Sequence, residues 1–272
     1  MSGAPTSAAL DGQITALLRR VSAEVILPRY QTLAAHEVTS KAVNDMVTIA
    51  DTEAEVMLAE GLASIMPEAT IVGEEAVHAD PALAKRLDTG LCWIIDPVDG
   101  TNNFAAGKPP FGIILALSDG GETQSGWIYD PLNDRLCIAH KGKGAFVNGD
   151  PVRARPTRET QPIAAISTVF LDPAARAAVQ ARIAPYYTLV DIPRCAAEQY
   201  PRLVLGVNDI SVFERTLPWD HAAGVLFVNE AGGMAARPDS TPYRTDQHGQ
   251  KGLFAASSPA LFEDFVKRSR ED

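Results

Sequence analysis

The sequence predicts an α+β fold in two apposed halves, and three observations predict it. Apolar residues recur at helical spacing over the first 65 positions, short apolar runs separated by turn residues fill 69–152, and strands alternate with helices from about 160 onward. The division falls near 155, giving 1–155 and 156–272 as two halves of one compact unit.

The first element is a helix over about 8–36, with Leu10, Ile14, Leu17, Leu18 and Val21 on one stripe and Pro28 placed to kink or divide it. A second helix starts at Asp51, where DTEAEVMLAEGLASIM puts Val56, Leu58, Leu62 and Ile65 near one face. ATIVGEE and LCWIIDPVD read as short buried strands ending in acids. PFGIILALSDG, QSGWIYDPLND and RLCIAHKGKGAFVNGDPV continue as an antiparallel meander. In the second half PIAAISTVF, YTLVDIP, ISVFE and GLFAASS are strands. AARAAVQARIAPY, AAEQYPRLVLG, PWDHAAGVLFVNEAGG and PALFEDFVKRSRE are the helices between and after them, and EAGG caps the third.

Composition narrows the function. The 272 residues carry 24 basic and 34 acidic side chains, a net charge of −10, which argues against a general nucleic-acid surface. No apolar run is long enough to span a bilayer and no secretory leader is visible, so a soluble cytoplasmic protein without membrane partners is expected. Cys92, Cys137 and Cys195 are far apart and form no CxxC pair, so they read as reduced thiols rather than a disulfide or zinc framework. So acidic a chain binds a phosphorylated substrate only if cations stand between its carboxylates and the anion.

The segment WIIDPVDGTNNF at 93–104 has the donors for such cations. Asp96 ends a strand, Pro97 sets the exit, and Asp99 stands on a turn that Gly100 permits, with the Val98 carbonyl between the two carboxylates. Three oxygen donors so close suit a hard divalent ion. The Gly-Thr-Asn that follows opens a turn or helix whose N–H groups can face an anion. Taken singly, each acid has a plain structural reading: Asp96 as a strand-end residue, Asp99 as an Asx turn, Asp51 and Asp220 as first-turn helix acids, Glu74 and Glu75 as a polar strand end. The same holds for His221, read as packing or capping, and for GKGAF, read as a hairpin because it lacks the Lys-Ser/Thr of a P-loop.

Taken together, GEE at 73–75, DPVDGTNNF at 96–104 and WDHAAG at 219–224 resemble the inositol monophosphatase family in order and separation. Lesser matches are VTIAD at 47–51, KGKGAFVNG at 141–149 and EAGG at 230–233. The resemblance implies a layered αβαβα sandwich of the inositol monophosphatase/fructose-1,6-bisphosphatase type. It implies Glu74, Asp96, the Val98 carbonyl, Asp99 and Asp220 as ligands of two or three Mg2+ ions. Asp51 and Thr101 correspond to the pair that orients the attacking water, with Glu74 also catalytic, and Glu75 is similar to an outer or third-metal acid. The N–H groups of Gly100 and Thr101, with Asn102, would grip the phosphate, and Lys41 falls in a loop that helps close the site in relatives. The reaction implied is direct attack of metal-activated water on a phosphate monoester, with lithium inhibition and a homodimer as further family traits.

Substrate contacts are implied at Asp99, Asp220, Glu214 and the segment Arg194, Cys195 and Ala196. Glu214 matches the acid that holds sugar hydroxyls, and its spacing to Asp220 is one residue shorter than in typical inositol phosphatases. Arg194 and Cys195 stand where those enzymes carry Gly-Thr, and the arginine either narrows the pocket or adds an anion contact. Inositol 1-phosphate is the first substrate expected. Histidinol phosphate, fructose 1,6-bisphosphate and adenosine 3',5'-bisphosphate are rivals, and a non-catalytic regulatory protein of this fold is the rival outside enzymes.

Overall fold

The computed structural model describes residues 7–42, 45–166 and 171–270. In chain order its elements are α1 (Ser7–Val21), β1 (Val38–Ala42), β2 (Asp45–Thr48), α2 (Ile49–Ile65), β3 (Thr70–Gly73), α3 (Glu74–Ala79), β4 (Leu91–Asp99), α4 (Thr101–Ala105), β5 (Gly112–Asp119), β6 (Glu122–Asp130), β7 (Arg135–His140), β8 (Gly144–Val147) and β9 (Asp150–Val152). Then come β10 (Ile163–Ile166), α5 (Pro173–Ile183), β11 (Thr188–Val190), α6 (Ala196–Val204), β12 (Ile210–Phe213), α7 (Pro218–Glu230), β13 (Met234–Ala236), β14 (Leu253–Ala256) and α8 (Pro259–Arg270). A seven-stranded sheet runs in sequence order from β3 to β9, parallel only at β3–β4. A five-stranded sheet has the order β11-β10-β12-β14-β13, and β1 pairs with β2 alone.

Alternation along the strands builds the layers. Trp93, Ile95, Ile113, Leu115 and Trp127 face α1 and α2 on one side of the larger sheet. Ile94, Ile114, Ala116 and Ile128 face α6 and α7 on the other. Phe213, Leu253 and Ala255 of the smaller sheet close over the far side of α7. The reverse face of that sheet, with Ile210 and Ala256, is covered by Ile183 of α5 and by Phe262, Phe265 and Val266 of α8. The result is the αβαβα sandwich that the family resemblance implies.

Several boundaries differ from the sequence reading. The first helix does not run to 36: a π-turn takes Ser22–Ile26 and a 3-10 turn Leu27–Arg29, because Pro28 lacks the N–H that an α-helix needs there. The second helix begins at Ile49, two residues earlier than read, because Thr48 caps it and accepts the Ala50 N–H. Its buried stripe is Ala50, Ala54, Leu58 and Leu62, whereas Val56 is 58% exposed. Glu74 and Glu75 do not end a strand; they open α3. Of PIAAISTVF, positions 163–166 form β10 and 167–170 lie outside the described residues, as does the side chain of Lys41.

Candidate active site

The local fold of β4 answers how two acids three positions apart come to share a cleft. Strict alternation would send Asp96 and Asp99 to opposite faces. The ladder with β5 instead slips by one residue, pairing Asp96 with Ile114 and Asp99 with Gly112. This bulge, next to a proline that cannot donate to a ladder, keeps Val98 on the α2 side with Ile95 and returns Asp99 to the side of Asp96. Gly100 then turns the chain in the left-handed region at φ 85, where a β-carbon would also come within 2.9 Å of the Pro110 carbonyl oxygen. The Gly100 carbonyl oxygen starts α4 by accepting Asn103 N–H at 2.8 Å and Phe104 N–H at 3.0 Å.

Carboxylate oxygens of Glu74, at the start of α3, Asp96, at the end of β4, and Asp220, in the first turn of α7, all lie within 4.8 Å of one another. Asp96 is 1% exposed, and among the described residues its buried Oδ1 has no hydrogen-bond partner. Burial and then the charges of Glu74, Asp99, Asp220 and Asp51 push its carboxyl well above the usual range. A buried carboxylate with an orphaned oxygen, facing two others, is unfavourable unless a cation or proton joins them. The all-oxygen donor set fits Mg2+.

Asp99 lines the same cleft, but its Oδ2 accepts the Ala197 N–H of α6 at 2.6 Å. Burial raises its carboxyl, and the N–H groups of Ala197, Ala196 and Gly100 and the Cys195 thiol work against that rise. The Val98 carbonyl oxygen lies 2.9 Å from Thr101 Oγ1. Asp51 is behind the cleft: its Oδ2 accepts Thr48 N–H at 2.8 Å and the Thr48 hydroxyl at 2.6 Å, while Oδ1 accepts the Thr101 hydroxyl at 3.0 Å. Burial, only partly offset by these bonds, raises Asp51 to about 6. Glu75 stands beside this group and its charge adds to that rise.

Gly100, Thr101, Asn102, Arg194, Cys195, Ala196 and Glu214 all line the cleft. Arg194 is exposed and sits at φ 54, a left-handed conformation that glycine adopts most readily. Among the described residues no hydrogen bond or ion pair engages its guanidinium. Cys195 is buried, and burial holds its thiol well above the usual value, unsuited to nucleophilic attack. His221 is neutral packing: Nε2 lies 2.9 Å from the Arg215 carbonyl oxygen, Nδ1 lies 2.6 Å from Tyr200 Oη, and burial lowers it to about 3.

Sequence reasoning missed Thr48, whose T-x-x-D spacing to Asp51 is a capping-box signal. It also missed Asn103, whose amide donates to the Pro110 carbonyl oxygen before β5 at 2.9 Å and ties α4 to the Arg194 segment through the Pro193 carbonyl oxygen at 3.0 Å. Met46, Gln199 and Arg215 also line the cleft, and no local pattern marks them.

An acid-lined cleft between the two sheets of a five-layer α+β sandwich defines the class of protein. The inositol monophosphatase family model matches residues 11–271, and the chain belongs to that family. It is 32% identical to the Nus factor SuhB of Vibrio cholerae over 242 residues, covering 87% of this chain and 86% of the relative. It is 31% identical to the inositol-1-monophosphatase of Bacillus subtilis over 260 residues, 92% of this chain and 93% of the relative. The solved Thermotoga maritima IMPase superposes with a TM-score of 0.77 at 27% identity, covering 95% of each chain. Among the described residues no helix is long and apolar enough to cross a membrane.

Proposed function

We propose that the protein is a Mg2+-dependent phosphatase of small phosphate monoesters, with inositol 1-phosphate as the first substrate. The observation that carries this reading is the meeting of Glu74, Asp96 and Asp220 around the orphaned Oδ1 of Asp96. These three, with Asp99 and the Val98 carbonyl, would hold two or three Mg2+ ions. Bound there, the ions would polarise the phosphate and acidify a water.

The remaining steps fall to the chain itself. Thr101 donates its hydroxyl proton to Asp51, which leaves the hydroxyl oxygen to accept a hydrogen bond from the attacking water. Asp51, raised to about 6, is tuned as a base near neutrality. The phosphate meets the N–H groups at Gly100, Thr101 and Asn102, and Glu214 accepts bonds from substrate hydroxyls. Arg194 offers a cation to a second anionic group, which would favour a bisphosphate over a monophosphate. The working form in this reading is a cytoplasmic homodimer inhibited by lithium.

The test is phosphate release from inositol 1-phosphate, histidinol phosphate, fructose 1,6-bisphosphate and adenosine 3',5'-bisphosphate, with Mg2+ and with chelator. Turnover that needs Mg2+ and is abolished in Asp99→Asn is the expected result. A preference for bisphosphates that survives Arg194→Gly removes the role given to Arg194. A second reading, a regulatory protein that contacts a macromolecular partner, is favoured by the relatives named Nus factor SuhB, 30–34% identical to this chain. Mg2+ binding with no turnover of any ester in that panel would select this second reading.

A further inference from the structure

Glu55 follows Asp51 by one turn of α2, so the two acids share a face of that helix. Both are buried, Asp51 at 1% exposure and Glu55 at 8%. Glu55 has no part in the reading above, yet both of its oxygens are engaged at the edge of the cleft. Oε2 accepts the Glu75 N–H at 2.8 Å and Oε1 accepts the Ala76 N–H at 2.8 Å. These belong to the first turn of α3, whose own preceding residue, Gly73, offers no side-chain cap. Glu74 lies between Gly73 and Glu75.

Gly73 shows how close this contact is. A β-carbon there would stand 2.2 Å from the Glu55 carboxyl carbon and 2.3 and 2.5 Å from its oxygens. The carboxylate therefore lies against the Gly73 Cα on one side and the Glu75 and Ala76 N–H groups on the other. The backbone that carries Glu74 is gripped before and after it by one side chain from another helix.

We propose that Glu55 is a positioning residue for the divalent-cation site, acting through Glu74. It rests on the reading of the cleft as such a site. A glutamine at 55 keeps the shape but presents an NH2 group to one of the two backbone N–H donors, so only one bond can be kept. Glu74 then loses its fixed approach to Asp96 and Asp220. Loss of an outer partner of this kind weakens metal binding by about 10-fold or more.

The test is calorimetric titration of Mg2+ into the full chain as wild type, Glu55→Gln, Gly73→Ala and Asp96→Asn, at a temperature where circular dichroism shows each folded, with phosphate release measured across Mg2+ concentrations. Glu55→Gln and Gly73→Ala are expected to weaken Mg2+ binding about 10-fold or more and to raise the Mg2+ midpoint of activity by the same factor, with turnover recovering at saturating Mg2+. A purely structural role would lower thermal stability and leave that midpoint in place. Wild-type Mg2+ affinity in folded Glu55→Gln overturns the inference. If Glu55→Gln does not fold, Gly73→Ala decides, since the three atoms nearest its methyl all belong to the Glu55 carboxylate. A wild-type chain that binds Mg2+ no better than Asp96→Asn overturns the cation site itself, and Glu55's role with it.

Discussion

Thr101 has one hydroxyl proton and two acceptors in reach, Asp51 Oδ1 at 3.0 Å and the Val98 carbonyl oxygen at 2.9 Å. Only one can receive it at a time. In the proposed mechanism, donation to Asp51 would align the hydroxyl as a relay between water and a buried base, and Thr48, bonded twice to the other Asp51 oxygen, holds that carboxylate in place. Thr101→Val and Asp51→Asn are each expected to lower kcat by about 100-fold or more, the scale of general-base catalysis. Because the two residues act as one unit, the double variant should lose little more than the worse single. Steady-state kinetics at saturating Mg2+ checks this, and losses that multiply in the double variant would count against the relay.

At the scale of elements, α1 is pinned to the large sheet by a polar knot as well as by its apolar stripe. Asp11 of α1 accepts Trp127 Nε1–H at 2.9 Å, and His140 Nε2 lies 3.0 Å from its other oxygen, while His140 Nδ1 meets Ser125 Oγ at 2.8 Å. Asp11→Ala strands a buried indole N–H and should cost about 1–3 kcal/mol, read as a lower Tm, with Asp11→Asn recovering most of it. An unchanged Tm in Asp11→Ala would contradict this. The apolar stripe at Leu10, Ile14, Leu17, Leu18 and Val21 was legible because one helical face is buried, and the meander because its strands alternate between turn signals. The polar knot was not, since it joins residues more than 100 positions apart. The β1–β2 hairpin and β13 were also illegible: VTSKA, DMVT and MAA carry too few apolar residues to announce a period. Val56 was misassigned because a valine at helical spacing looks buried, whereas small Ala50 and Ala54 in fact fill the close contact. The acids of the cleft were legible as a set through their motifs. The bulge that brings Asp96 and Asp99 to one face was not, because nothing local shows which strand pairs with β4.

Across the whole molecule, a net charge of −10 and buried acids in one cleft make the folded state sensitive to protons and cations. Burial raises Asp96, Asp99 and Asp51, the last to about 6, so without a cation the folded chain keeps protons that the unfolded chain releases above about pH 4. Stability of the metal-free protein should therefore fall as pH rises from about 4 through 6. In the proposed site a divalent cation would take the place of the protons on Asp96 and Asp99, so the gain in Tm on adding Mg2+ should grow over the same window; thermal melts with Mg2+ and with chelator test this, and a gain that is flat or shrinks with pH would contradict it. The most direct measurement is anomalous diffraction from a crystal soaked in Mn2+, a stand-in for Mg2+. The expected result is a peak bounded by Glu74, Asp96 and Asp220, with carboxylate oxygens about 2.1 Å away. Saturating Mn2+ that leaves this space empty while binding elsewhere would mean that these acids do not form a cation site.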